Sequence, residues 1–564
     1  MRAKRSYSLL PAGFIAAAVL AGCNAILGLN ELSIDTAGAD GSTGGSGGSG
    51  GGSGGSGGSS MMDVAPDNFV GECVSNVECT DRATAAAIDA GTLSDAGDGG
   101  ARVVPAICMK PEGRCVELLS EDCHEVTGNY RDDDAIILGT LFSTTGDQAL
   151  TNLQRQRSAT LAAEEINMVG GVPAASGAAN PRPLVMVSCD EAAMLLRAAG
   201  HLVNDLHVPA IVGPNTSQDT IDLSNKLTVA AGTVLMTPTG VASSIAALND
   251  NDLTWLMVPS DVQRAPLMIK QLTELETQVR MAHPERTTVK LGIVFRNDAL
   301  GIGTRSSLND LTFNGQPLSH PINIGTGGAV TVDGYEFGAA DQNALVASYV
   351  TFAPDIIVLA GTAEAITKVM EPLETRWTAP TRPYYMLIDS VKVPDLIRVA
   401  ANAELRGRIR GTGITPAPSS VAVLNAFNVD YRVRYGSPPT ASGVGPSYDA
   451  TYAIAFALAA TRDLPVTGAN IAKGLRRLAG GMTTVEVMPS RVLAGFQKLA
   501  SGENITGVGT FVPLDWNSDG AVVSGTIEMW CIGAPTGAAA YQSSGLTFDI
   551  KSAAFSGMYT QCSP

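Results

Sequence analysis

"AIILGTLFSTTGDQALTNLQRQRSATLAAEEINMVGGV" runs from Ala135 to Val172. Ala135–Phe142 is a short apolar run suited to a buried strand. A polar turn follows. Leu150, Leu153, Leu161 and Met168 then share one helical face, and Gly170-Gly171 ends the helix. The same rhythm continues outward. "PLVMVSCD" (183–190), "PAIVGP" (209–214) and "TVLMTP" (233–238) read as strands, with helices over 191–206 and 217–231 between them. It resumes with "VKLGIVF" (289–295), "DIIVLAG" (355–361), "PYYMLID" (383–389) and "RIRGTGITPA" (408–417). Strands alternating with helices predict parallel sheets with helices on both faces. The break at "WLMVPSD" (255–261) predicts an α/β chain of two Rossmann-like lobes.

In open parallel sheets, ligands bind beyond the carboxyl ends of strands. Those ends read "FSTTGD" (142–147), "SCDE" (188–191), "GPNTSQ" (213–218), "TPTG" (237–240), "FRND" (295–298), "AGTAE" (360–364) and "IDS" (388–390). Several precede helices, whose free N–H groups suit an anion. The same residue types cap helices. Seven such ends together predict a polar cleft.

Apolar residues make up 45% of the chain and charged ones 16%, which fits a folded body after a long lead-in. The net charge of −17 argues against nucleic acid as a partner. Arg2, Lys4 and Arg5 precede an apolar run from Leu9 to Ala21. A span needs roughly 20 apolar residues, so this run reads as an export signal over 1–22. Leu20-Ala21-Gly22-Cys23 resembles the lipobox of bacterial lipoproteins, which implies acylation of Cys23. Residues 23–68 then form a tether. Its Gly/Ser stretch, Gly41–Ser60, has a root-mean-square reach of roughly 25 Å as a flexible coil.

Nine cysteines are present. Apart from Cys23 they are Cys73, Cys79, Cys108, Cys115, Cys123, Cys189, Cys531 and Cys562, an even set that suggests disulfides in an exported chain. Five of them crowd a small module over 69–131, so one needs a partner elsewhere, Cys189 being the nearest. Cys531 and Cys562 would close the C-terminal tail, 536–564. No C-x-x-C or H-E-x-x-H occurs, and no metal site or cofactor is expected. "DWNSDG" (515–520) has the first half of a calcium loop but Thr526 at its twelfth position, and is read as a tight hairpin turn. No phosphate-binding glycine fingerprint follows a strand.

The ordered set "AIILGTLFSTTGDQ", "LAAEEINMVGGV", "AIVGPNTSQ", "VLMTPTG", "WLMVPSD", "KLGIVFRNDALG", "PDIIVLAG", "PSYDATYAIAFALAAT" and "GVGTFVPLDWNSDG" resembles type I periplasmic binding proteins of the leucine/isoleucine/valine-binding branch. The likeness covers about Asp132 to Ile532. It implies three crossovers, near Val258–Asp261, Thr415–Ala417 and Ala521–Ser524. Lobe one would span 132–258 plus 418–522, and lobe two 262–414 plus 525–535. In amino-acid binders of this family, lobe one holds the ligand carboxylate. The matching residues here are Asn215, Thr216, Ser217, Thr237, Thr239 and Gly240, with Ser143 and Thr144 on the first turn. Lobe two supplies an acid for the ammonium, matching Asp389, with Ser390 beside it. The chain departs from the pattern at Leu300-Gly301, which lacks an aromatic, and at Asn215-Thr216, where relatives carry two serines. Tyr448-Asp449 is read as structural.

The resemblance implies a non-enzymatic, monomeric lipoprotein of the cell envelope that captures a small polar ligand and delivers it to an ABC permease. A sensor or surface receptor on the same scaffold is the second reading. A hydrolase would need a nucleophile–base set, and the sequence shows none.

Overall fold

The structure, a computed structural model, describes residues 73–93, 103–110 and 112–563. The expected signal, Cys23 and the tether lie outside the described residues.

The cysteine segment is ordered by cross-links more than by a core. Ser75 accepts the Glu78 N–H and caps a helix, Asn76–Asp89. A hairpin of β1 (Ala106–Met109) and β2 (Arg114–Glu117) lies against it. Disulfides Cys73–Cys108 and Cys79–Cys115 staple the helix to the hairpin. The fifth cysteine leaves this unit. It opens β3 (Cys123–Thr127), which runs antiparallel along the edge of the first large sheet, and Cys123 bonds to Cys189 directly opposite. The small module therefore ends before β3, short of the expected boundary at 131.

The first sheet contains β4 (Ile136–Phe142), β5 (Leu184–Asp190), β6 (Ala210–Val212), β7 (Val234–Thr237) and β8 (Thr254–Leu256). Its order is β3-β5-β4-β6-β7-β8, with every pair but β3–β5 parallel. All seven residues of β5 are buried, as its unbroken apolar run requires.

The helix after β4, Ala149–Met168, buries Leu161 and half-buries Leu153, but leaves out the two ends of the face its leucines predict. Leu150 and Met168 are 82% and 74% exposed. The buried positions are mostly small or polar, among them Ser158, Ala159, Thr160, Ala162, Ala163 and Glu165. Helix Val444–Ala460 explains this. It is buried from Val444 through Ala459 and packs on the first helix through alanines and threonines. Small side chains let two helices approach closely. Thr451 Oγ1 donates to the Ala159 carbonyl at 3.1 Å across the contact. Tyr448 and Tyr452 both donate to Glu165 Oε2, the second at 2.8 Å, and Asp449 Oδ2 accepts from Thr510 N–H and Oγ1 at 2.8 and 2.7 Å. These are core contacts.

After β8 the chain crosses to a second sheet through helix Asp261–Ala282. There follow β9 (Leu291–Arg296), a small hairpin of β10 (Thr312–Phe313) and β11 (Gln316–Pro317), β12 (Val330–Tyr335), β13 (Ile356–Ala360), β14 (Tyr384–Ile388) and β15 (Ile409–Thr415). The chain then returns to the first lobe. Helices Val421–Tyr435, Val444–Ala460, Gly468–Leu475 and Pro489–Ala500 pack there, with a parallel pair, β16 (Thr483–Glu486) and β17 (Ile505–Val508). A last crossing leads to β18 (Thr526–Gly533), β19 (Ala540–Asp549) and β20 (Ala554–Ser556).

The second sheet has the order β12-β9-β13-β14-β15-β18-β19-β20, its first five strands parallel and the last three antiparallel. The C-terminal segment thus extends the sheet by two strands. Leu546 and Phe548 join its core, and Cys531–Cys562 ties the end. In the 515–520 turn, Asn517 Oδ1 accepts the N–H groups of Asp519 and Ala521 at 3.0 and 2.9 Å. No described helix is long and apolar enough to cross a membrane.

Candidate functional site

In sequence β4, β5 and β6 are consecutive, yet β5 and β6 flank β4 on opposite sides. Strand order reverses there, the place where open α/β sheets form a ligand crevice beyond the strand ends. Gly213 shapes it. Its φ is 123°, and a Cβ would collide with the Leu141 carbonyl oxygen, so the loop after β6 lies close against the end of β4.

That loop presents Asn215. The Arg155 guanidinium donates to Asn215 Oδ1, and Thr239 Oγ1 lies 2.7 Å from the same oxygen. Arg155 is 5% exposed and is anchored by Asn152 Oδ1 at 2.6 Å and the Ser442 carbonyl at 2.8 Å. Burial lowers its pKa to about 10, against the pull of Glu191, so it stays charged at neutral pH. With its carbonyl held, Asn215 keeps an amide nitrogen that bonds to none of the described residues. Ser143 and Thr144 are half-buried beside it. Ser143 Oγ donates to Glu191 Oε1 at 3.3 Å, and the Thr144 N–H donates to Asp190 Oδ1 at 3.0 Å.

The other expected contacts are engaged within the protein. Ser217 is buried, and its Oγ accepts the Val241 and Ala242 N–H groups at 3.0 and 3.2 Å. Thr237, fully buried, donates to the Pro214 carbonyl and accepts the Gly240 N–H, each at 3.0 Å. Thr216 caps helix Ser217–Leu223 and donates to Asp219 Oδ2 at 2.5 Å. Ser390 Oγ donates to the Gly361 carbonyl at 2.6 Å. Asp389 Oδ1 is ion-paired with Arg264 Nη1 at 2.5 Å, and Arg264 Nε donates to the Pro259 carbonyl at 2.9 Å. The Arg264 side chain is 7% exposed, so the pair is well shielded.

Across the crevice, the second lobe contributes Arg296 at the end of β9. It pairs with Asp298 at 2.6 Å and reaches Thr362 Oγ1 at 3.1 Å and Glu364 Oε1 at 3.5 Å. Asp219 of the first lobe senses it. Burial raises the Asp219 pKa, the Thr216 hydroxyl opposes that, Asp222 adds to it, and from the facing lobe Arg296 lowers it while Asp298 raises it. The lobes touch at one edge. Helix Ala299–Ser307 packs on helices Ser217–Leu223 and Ser243–Ala246, where Ala299 joins Ala242, Ile245 and Leu256. Gly303 permits this approach, since a Cβ there would overlap Asp261 Oδ2. Gly303→Val is therefore expected to wedge this edge open. Small-angle scattering should show a larger radius of gyration, with a stability cost of about 1–3 kcal/mol.

Sequence reasoning missed Arg155, Glu191 and Arg264. "SCDE" pointed at Glu191, whereas a buried arginine within a helix has no local signature. Among the described residues the one grouping with metal-ligand spacing is Cys73, Cys79 and Cys115, whose sulfurs are in disulfides.

No family model and no curated protein sequence matches the chain. Solved structures do. The branched-chain amino acid transporter substrate binding protein LivJ from Streptococcus pneumoniae, in complex with isoleucine, is 17% identical, with 72% of this chain and 99% of that one covered and a TM-score of 0.51. A periplasmic binding protein type 1 from Bordetella pertussis is 15% identical, covering 72% and 100%, with a TM-score of 0.50. An ABC transporter solute binding protein from R. palustris, in complex with benzoate, is 12% identical, covering 72% and 96%, with a TM-score of 0.50. The fold is that of type I periplasmic binding proteins.

Proposed function

We propose that this chain is a non-enzymatic solute-binding protein of the cell envelope. A small polar ligand enters between the lobes, meets the first lobe at the crevice over β4 and β6, and is covered by the second lobe with Arg296. The observation that carries this reading is the set of half-exposed groups at the strand-order reversal: Ser143, Thr144 and the outward amide of Asn215. A ligand that contacts both lobes stabilises the closed form by its preference for it. Lipidation of Cys23 would hold the body to a membrane, the tether would let it move, and an ABC permease would receive the solute.

A thermal-shift screen of amino acids, amides, urea, aromatic acids and short peptides tests the central claim. A ligand at a hundred times its Kd should add about 2.7 kcal/mol to stability. No shift across the panel overturns it. The anchor is tested separately: labelled palmitate should enter the wild-type chain in bacterial cells and not a Cys23→Ala variant.

A further inference from the structure

Resting on the solute-binding reading above, we infer that Glu191 is a ligand-contacting residue that donates a hydrogen bond from its Oε2 to a carbonyl or carboxylate oxygen of the solute, and that the solute carries no α-ammonium group.

Glu191 stands just past the end of β5, and its N–H donates to the Phe142 carbonyl at 3.3 Å, which draws it over the end of β4. The residue is 6% exposed. Oε1 receives the Ser143 hydroxyl, while Oε2 is buried with no hydrogen-bond partner among the described residues. A buried polar atom without a partner is a rare arrangement in native proteins. Here it sits between Ser143 at the end of β4 and Asn215 after β6, where strand order reverses. A ligand group is the partner this position lacks.

The surroundings decide the sign of that group. Burial is the main reason the Glu191 carboxyl is held well above its ordinary pKa. Asp219 and Asp190 add to the effect, while Ser143 and the Asn215 N–H oppose it. The charge of Arg155 pulls the other way. In its neutral form the acid has a proton to give, and the Asn215 amide beside it is also a donor. Two donors suit an sp2 oxygen.

An ammonium group finds no open acid opposite. Asp298, Glu364 and Asp389, at the ends of β9, β13 and β14, all pair with arginine. Displacing Arg264 from Asp389 would strand a shielded guanidinium, which is strongly unfavourable. In effect Arg264 already fills the place of a ligand ammonium.

Matched probes separate the alternatives by titration calorimetry on the full chain. One set is L-leucine, 4-methylpentanoate, 4-methylpentanamide and 3-methylbutylamine. The other is L-phenylalanine, 3-phenylpropanoate, 3-phenylpropanamide and 2-phenylethylamine. The acid or the amide should bind at least about tenfold more tightly than the amino acid or the amine of its set. Glu191→Leu should lose about tenfold or more of that affinity, and Glu191→Gln, which restores a donor at the same place, should recover most of the loss. Tighter binding of an amino acid or an amine overturns the inference and leaves the solute-binding reading standing, as does unchanged binding by Glu191→Leu. No binding by any probe here or in the thermal-shift panel overturns both.

Discussion

A Cys123→Ser/Cys189→Ser double variant is expected to lose about 4 kcal/mol of folding stability, by the chain-entropy relation for a cross-link of this span. The two cysteines are 66 residues apart and both fully buried. The bond closes the longest loop of the four disulfides, and loop length sets the entropy removed from the unfolded chain. It also fastens a short, polar edge strand, β3, that has few apolar contacts of its own. Urea unfolding should show a lower midpoint for the double variant. An unchanged midpoint would mean that β3 is held by pairing alone.

Stability should also fall as pH rises from 5 to 7, with two core acids among the groups responsible. Burial raises the pKa of Glu165 to about 7 against the hydroxyls of Tyr448 and Tyr452, and burial raises that of Asp449 to about 7 against Thr510. Both native values lie above the unfolded ones, so the native state keeps protons that the unfolded chain has released. Their contribution is whole below about pH 4, shrinks through the interval up to 7 and is gone above it, an effect of about 3 kcal/mol for Glu165 and about 4 kcal/mol for Asp449. Glu371 and Asp549 behave oppositely. Hydrogen bonds from Arg398 and Ser552 lower their pKa values, so their contribution is lost only in stronger acid. Glu191, Asp219 and Asp261 are raised by burial and act in the same direction as the core pair. Substitution isolates the pair. Glu165→Gln/Asp449→Asn should make the plot of unfolding free energy against pH over 5–7 less steep than that of wild type. Parallel plots would show that these acids are not the source.

The alternation of strands and helices was legible because each element carries its own apolar period. What escaped was long-range. β3 is five residues, "CHEVT", and only its partner β5 makes it a strand. The face of helix Ala149–Met168 was read only in part, at Leu161, because leucines outweigh alanines in a periodicity count, while close packing against helix Val444–Ala460 selects the alanines. Asp389 has the composition of a ligand acid, but Arg264, 125 residues earlier, neutralises it. Arg155 orients Asn215 from 60 residues away. Local sequence lists chemical groups and is silent about which of them are already taken.

The bond between Cys123 and Cys189 has a mechanical meaning. Tension applied at Cys73 passes through the stapled helix and hairpin to β3, and from there by a covalent link into β5, the next strand of the first sheet. Among the described residues no such link runs from this segment to the second sheet. Were the body moored by its leading end, as proposed, the first lobe would be the stationary jaw and the half that carries Arg296 the swinging one.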